Sequence, residues 1–147
     1  KSRSKIQIVQ EIAKELPIAP VISYFLCDSW YTSAKVMDSF IQKGFYTIGA
    51  LKTNRIIYPC RIRQKASEFA LHLKRSDPKV NLVTVGGREF YVYRYEDELN
   101  DIPNAAVIFS YPREAFARIE DDHCFRPKLV EVCPRFFFII KKMFFRL

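Results

Sequence analysis

Two apolar runs of strand length, separated by one amphipathic helix, constrain the fold of this chain more than any other feature. The first run covers residues 21–27 and the second runs from Phe45 to Leu51. Thr32 or Ser33 can cap the helix between them, and Gly44 follows it where a left-handed residue is favoured. The apolar face of that helix consists of Val36, Met37, Phe40 and Ile41. Strand, helix and strand over roughly thirty residues predict a parallel βαβ unit, with the first strand central and buried on both faces.

The rest of the chain adds two helices and a run of strands. The other predicted elements are a helix over 4–16 capped by Ser4 and ended by Pro17, a short helix near 64–74, and strands over 81–85, 88–95 and 105–111. Gly86-Gly87 joins the first two of these strands as a two-residue hairpin turn, because glycine accepts a positive φ at both positions. The predicted fold class is therefore α/β, with an antiparallel β-rich segment over about 76–111.

Asp28 is the strongest candidate functional residue. It follows the first predicted strand directly and precedes the helix. In open α/β sheets, sites gather at the carboxyl ends of strands, where a carboxylate can hold a metal ion. The alternative is that Asp28 caps the following helix, which is a frequent role for Asp. These residues by themselves leave both interpretations open.

A resemblance to a known family bears on that choice. Asp28-Ser29-Trp30-Tyr31 is followed by Gly44-Phe45 and then by a block running from Ala50 to Arg55, Ala-Leu-Lys-Thr-Asn-Arg. The two blocks at this spacing resemble the middle of DDE transposases of the ribonuclease-H-like superfamily, as found in bacterial insertion sequences. The resemblance runs from about Lys5 to about Pro112. It implies a partial ribonuclease-H-like core over 1–116, interrupted by the β-rich insertion.

The resemblance also implies an activity, which is metal-dependent DNA cleavage and strand transfer during transposition. In that family a pair of Mg²⁺ or Mn²⁺ ions sits between three carboxylates, and Asp28 matches the middle one as catalytic residue and metal ligand. The first Asp would precede Lys1, and the final Glu would follow Pro112, where Glu131 does not match the family's pattern. We therefore expect an incomplete catalytic site that is inactive by itself. The alternative is a non-catalytic DNA-binding or interaction module derived from a transposase.

Positive charge is concentrated in one segment of the chain. The chain has 24 Lys plus Arg against 16 Asp plus Glu, and residues 43–75 hold eight basic residues and one acidic residue, a net +7. Clustered basic residues favour a polyanionic partner because neutralised phosphates release counterions, although a solvated basic face has the same composition. The candidate DNA contacts are Lys52, Asn54, Arg55, Arg61, Arg63 and Lys65. The resemblance names transposon ends as the DNA partner and allows a homodimer of the full-length protein.

Residues 117–147 have a different character. From Phe136 to Leu147 we find neither strand alternation nor a helical period, and the composition is dominated by Phe, Ile and Lys. We attribute this atypical tail to a frameshift, with a buried or partner-facing aromatic helix as the alternative. His123, Cys124 and Cys133 lack the short ligand spacing of a zinc site. Without a secretory signal or an 18-residue apolar run, the chain is expected in the cytoplasm with no membrane partner. The resemblance implies that this is a bacterial cytoplasm and that the protein is at the nucleoid.

Overall fold

The structure is a computed structural model that describes residues 2–97 and 99–114 in full and residues 136–141 by their backbone. The helices are α1 (Lys5–Glu15), α2 (Ala34–Ile41) and α3 (Ala66–His72). The strands are β1 (Tyr24–Cys27), β2 (Tyr46–Ala50), β3 (Ile56–Ile57), β4 (Gln64–Lys65), β5 (Val80–Val85), β6 (Arg88–Tyr95), β7 (Ala105–Pro112) and β8 (Phe136–Lys141). The described chain is thus a mixed α/β protein, which confirms the predicted class.

Six of the strands form one sheet in the order β1-β2-β8-β7-β6-β5, while β3 and β4 form a separate hairpin. β1 and β2 are parallel, with Tyr24 opposite Tyr46. All the other pairs in the large sheet are antiparallel. The parallel βαβ unit predicted from the sequence is therefore confirmed, and so are the three antiparallel strands that follow it.

The helix inside the βαβ unit begins and ends where its sequence indicates. The Ser33 hydroxyl accepts a hydrogen bond from the Val36 N–H, so Ser33 is the N-cap. At the other end, the Gly44 N–H donates to the Ile41 carbonyl at 2.8 Å and the Phe45 N–H donates to the Phe40 carbonyl at 3.2 Å. This pair of bonds is a Schellman motif, whose left-handed position is Gly44 with φ +85°. The helix consequently turns straight back into β2.

The prediction that the first strand is central and buried on both faces is wrong for the described part of the chain. β1 lies at the edge of the sheet, and its exposure alternates along the strand. Tyr24 and Leu26 are 59% and 70% exposed, while Phe25 and Cys27 are half-buried on the helical side. An unbroken apolar run does not distinguish a strand covered on both faces from an edge strand covered on one.

α1 packs against α2. The Ser4 hydroxyl accepts from the Gln7 N–H, and the Gln7 side chain accepts from the Ser4 N–H, which completes a capping box. Ala13 is fully buried against α2. Ile8 and Ile12, which the helical spacing also assigns to the apolar face, are 44% and 51% exposed. The buried face of α1 is consequently narrower than its sequence pattern indicates.

The larger core lies between α3 and the antiparallel strands. Phe69 on α3 makes ring contacts with Tyr93, Tyr95 and Phe109 at centroid distances of 5.3 to 5.9 Å. Such tilted aromatic pairs add stabilisation beyond the burial of their area. The Tyr111 hydroxyl donates to a carbonyl of α3 at 2.7 Å, so that buried polar group is also satisfied. The predicted short helix near 64–74 is thereby confirmed and tied to the sheet.

The antiparallel region matches the sequence prediction at its first turn and departs from it at its last strand. The Gly86-Gly87 turn is as predicted, with φ values of +56° and +75°. In contrast, Phe136–Lys141 is a strand that lies between β2 and β7 and joins the βαβ unit to the antiparallel strands in one sheet. The helical alternative is therefore wrong for these six residues. The remainder of 117–147, including the proposed frameshift and the His123, Cys124 and Cys133 set, lies outside the described residues.

Among the helices that the structure describes, none has the length and apolar character required to span a membrane.

Candidate functional site

Asp28 stands immediately after the carboxyl end of β1, beside the end of the parallel strand β2. Its side chain is exposed to solvent. Both strands of the parallel pair run toward the same edge of the sheet, so the loops after Cys27 and after Ala50 meet there. The predicted position of Asp28 at the end of a strand of the βαβ unit is confirmed.

The Asp28 carboxylate is held by a tight turn and does not cap α2. Oδ1 accepts a hydrogen bond from the Trp30 N–H at 2.8 Å, and the Tyr31 N–H donates to the Asp28 carbonyl at 3.2 Å. The capping role belongs to Ser33 instead. Oδ2 of Asp28 has no hydrogen-bond donor among the residues that the structure describes, so one carboxylate oxygen remains available to a ligand.

A cleft of about 320 Å³ opens next to this carboxylate. Its lining residues are Lys5, Ile6, Asp28, Trp30 and Tyr31. The first turn of α1 lies at the carboxyl end of β1. It places Lys5 and Ile6 in the lining of the cleft. The site combines an anionic group, a cation and three apolar or aromatic side chains.

Thr32 ties the ends of the two parallel strands together. Its side chain is buried, with 3% of its surface exposed. The hydroxyl lies 2.9 Å from the Asp28 carbonyl oxygen and 2.7 Å from the Ala50 carbonyl oxygen, and it shares its one hydrogen between them. The Thr32 carbonyl in turn accepts a hydrogen bond from the Arg55 guanidinium at 3.1 Å. The turn that carries Asp28 is thus fixed against both β2 and the loop that follows it.

Gly49 on β2 provides the space that this arrangement needs. A Cβ at that position would lie 2.4 Å from the Thr32 Oγ1 and 3.1 Å from the Cys27 Sγ. Non-bonded atoms pack at about 3.5–4.0 Å, so no other side chain fits there without displacing Thr32. The glycine therefore belongs to the support of the Asp28 turn.

Trp30 and Lys52 form the exposed rim of the site. The indole is 77% exposed, although it is among the largest apolar groups of the chain. The Lys52 Nζ lies 4.7 Å from the centroid of the ring, which is within the range of a cation–π contact. Lys52, one of the predicted DNA contacts, thus lies over Trp30 at the rim of the site.

The structure gives the other predicted DNA contacts different surroundings. Asn54, Arg61 and Arg63 are exposed. Lys65 is exposed but lies 3.6 Å from a carboxylate of Glu68. Arg55 is turned inward, with 20% of its side chain exposed, and it bonds the Thr32 carbonyl. Its guanidinium supports the Asp28 turn, and its availability to DNA is correspondingly reduced.

The described residues do not fit the pair of Mg²⁺ or Mn²⁺ ions that the resemblance implies. Among them, no three Asp, Glu, His or Cys side chains come together as a metal-binding group. A separate cleft of about 450 Å³ has Glu96, Asp97 and Asp101 in its lining, but these three do not converge on a common point either. Among the described residues Asp28 offers one carboxylate, which is too few ligands for the metal pair.

Cys27 does not supply an alternative chemistry. Burial raises the pKa of its thiol, and the neighbouring Asp28 charge adds to that rise against the opposing hydrogen bond with Thr32. A thiol with a raised pKa is a poor nucleophile at neutral pH, because the thiolate is the reactive form. Cys27 is therefore a half-buried residue of β1 and not a candidate nucleophile.

The sequence pattern does not indicate the positions of several residues of the site. It predicts Thr32 only as a possible helix cap, whereas the Thr32 hydroxyl ties two strands together. Lys5 and Ile6 are distant from Asp28 in sequence and reach it through the packing of α1. Their approach could have been inferred from the βαβ topology, since a helix that leads into a strand begins near that strand's carboxyl end.

No protein-family model, curated protein or solved structure matches this chain.

Proposed function

We propose that this chain is part of the ribonuclease-H-like catalytic domain of a DDE transposase, with Asp28 as the middle of three metal-binding carboxylates. In this proposal the chain binds DNA and does not cleave it by itself. The observation that carries the proposal is the position of the Asp28 carboxylate, which follows a parallel strand, faces an open cleft and takes no part in capping the next helix.

The surroundings of Asp28 support the proposal because they fix the carboxylate while leaving it accessible. A metal ligand needs a defined direction, and the turn to Trp30 together with the buried Thr32 hydroxyl gives Asp28 one. Oxygen ligands at the carboxyl ends of strands suit Mg²⁺, which takes few protein carboxylates and keeps several waters.

The absence of cleavage follows from the number of carboxylates. Two divalent ions repel each other at the separation that an in-line displacement at phosphorus requires, and converging negative ligands are needed to hold them. Asp28 supplies one such ligand among the described residues. In this proposal the other two ligands belong to an Asp-bearing strand beside β1 and to a Glu-bearing segment after β7.

A gain-of-function experiment tests the catalytic part of the proposal. The chain would be extended before α1 with an Asp-bearing strand, and a Glu-bearing segment would replace the residues after Pro112. We expect nicking of supercoiled plasmid with Mg²⁺ or Mn²⁺ by the extended protein and none by the original chain.

The matched control uses Asp77, whose Oδ1 accepts from the Lys79 N–H at 2.8 Å in the same kind of turn as Asp28. Asp28→Asn should abolish nicking by the extended protein, and Asp77→Asn should not. Cleavage by the original chain that disappears in its Asp28→Asn variant would show that the chain already contains the other ligands. Equal effects of the two substitutions would remove Asp28 from the catalytic role.

DNA binding is supported by a separate observation, the exposure of basic and polar side chains along residues 52–63. Sequence-independent contacts to phosphates should give duplex affinity that falls steeply with salt. Fluorescence anisotropy of a labelled duplex at low and high salt measures this. Arg61→Ala with Arg63→Ala should weaken binding more than the charge-matched pair Lys14→Ala with Lys35→Ala, which removes exposed lysines from α1 and α2. Binding that is indifferent to salt, or equal losses in both pairs, would contradict the assignment.

A further inference from the structure

We propose that the cleft beside Asp28 is a subsite for one unstacked nucleobase of single-stranded DNA, with the indole of Trp30 as its stacking platform. This inference rests on the proposed DNA binding and adds to it a specific place and strand state. It requires the cleft, the exposed ring and the two nearby lysines, and it does not require the metal ions.

Trp30 has an open ring face next to the cleft. An indole has two faces, and Lys52 lies over one of them at 4.7 Å from the centroid. Since 77% of Trp30 is exposed, the second face is accessible to solvent. A purine or pyrimidine presents a flat π-face of matching character, and stacking on an aromatic side chain tolerates any base.

The cleft next to the ring has the polarity that a base and its phosphate need. Ile6 and Tyr31 give it apolar walls, and the Asp28 carboxylate at its side accepts hydrogen bonds from base N–H groups. Its volume of about 320 Å³ is at the lower end of the range of small-molecule sites.

Two cations flank this cleft where the sugar-phosphate chain would enter and leave. Lys5 lines the cleft and Lys52 lies at the ring. A phosphate is repelled by Asp28 and attracted by these lysines, so the charges orient the nucleotide with its base toward Asp28 and its phosphates toward the rim. A lysine contacts phosphate as a point charge and needs no base-specific geometry.

The arrangement favours single strands over duplex. Inside a duplex both faces of a base are stacked on neighbouring pairs, and extruding one base requires unstacking and unpairing it. A single strand presents its bases without that cost. The chemistry of the cleft therefore selects strand ends, gaps or unpaired loops.

Trp30 is the sole tryptophan of the chain, so its intrinsic fluorescence reports on this site alone. We would titrate the purified chain with oligothymidylate and with an oligomer of the same length whose sugars carry no bases. The two probes have equal backbone charge. We expect saturable quenching by oligothymidylate and little quenching by the abasic oligomer at the same salt concentration.

Two substitutions and one control test whether the binding of oligothymidylate depends on Trp30 and Lys52. Trp30→Ala should weaken binding of labelled oligothymidylate roughly tenfold to hundredfold, the range expected for loss of one stacked base. Lys52→Met should reduce the affinity for oligothymidylate, while Lys35→Met, which removes an exposed lysine from α2, should not. Circular dichroism confirms that each variant is folded.

The outcomes separate this inference from the proposal on which it rests. Salt-dependent binding of duplex and of oligothymidylate without tryptophan quenching would leave DNA binding intact and overturn the base subsite. Equal quenching by the abasic oligomer would also overturn it, because the backbone alone would then account for the signal. Retained oligothymidylate affinity in Trp30→Ala would assign the exposed ring to some other contact, such as a protein partner. Absence of binding to every DNA probe would overturn the DNA-binding proposal itself.

Discussion

Replacing Gly49 by alanine should disturb the support of the Asp28 turn more than any other single-atom change in the site. The new Cβ would lie 2.4 Å from the Thr32 Oγ1, 3.0 Å from its Cγ2 and 3.1 Å from the Cys27 Sγ. These neighbours are held by the Asp28 and Ala50 carbonyls and by the sheet, so they cannot all move aside. Overpacking of this kind costs about 1–3 kcal/mol.

The loss in free energy of unfolding is partly offset in the unfolded chain. Alanine has less conformational freedom there than glycine, which stabilises the folded state by about 0.4–1 kcal/mol at a position without backbone strain. The net loss should be about 1–2 kcal/mol. For a chain of this size, that corresponds to a fall in Tm of roughly 3–6 °C.

Urea denaturation followed by far-ultraviolet circular dichroism measures this loss, and a double-mutant cycle assigns it to a contact. Thr32→Ala alone should cost about 1–3 kcal/mol, because two carbonyl oxygens lose their donor. In that background Gly49→Ala should cost much less than in the parent, giving a coupling energy of about 1 kcal/mol or more. The m-value should stay constant across the four proteins.

A Gly49→Ala variant as stable as the parent would refute the close packing of Thr32 on the glycine. Additive costs in the cycle would refute it as well, since the two residues would then be energetically independent. Either result would withdraw the argument that Thr32 and Gly49 together position the turn of Asp28.

Three further predictions follow from the described contacts. Arg55→Ala should lower the free energy of unfolding by about 1–2 kcal/mol, measured by urea denaturation, because the Thr32 carbonyl loses a charged donor. Iodoacetamide should alkylate the exposed Cys60 well before Cys27 at pH 7.5, because burial raises the pKa of the Cys27 thiol. Peptide mass mapping over a pH series measures this, and alkylation of Cys27 should increase as the pH rises. Gly87→Ala should lower Tm in a thermal melt by an amount corresponding to about 1 kcal/mol, because φ at that position is +75° and nothing but strain opposes the new methyl group.

The sequence by itself determined the local elements of this protein. Ser4, Pro17 and Gly44 bound their helices at the places that capping chemistry indicates, and Gly86-Gly87 formed the predicted hairpin turn. The order of strand, helix and strand also determined that Asp28 would stand at the carboxyl end of a parallel strand. These features depend on residues close to one another in the chain, where spacing and backbone conformation are sufficient.

The tertiary structure decided which surfaces are covered and which residues meet at the site. It made β1 an edge strand with Tyr24 and Leu26 exposed, although an apolar run carries no information about its neighbours in a sheet. It also inserted Phe136–Lys141 between β2 and β7, two strands that are far apart in the sequence. Contacts between distant segments depend on how whole elements pack. That packing brings Lys5 and Trp30 together beside Asp28 and turns Arg55 inward, which the local sequence pattern does not encode.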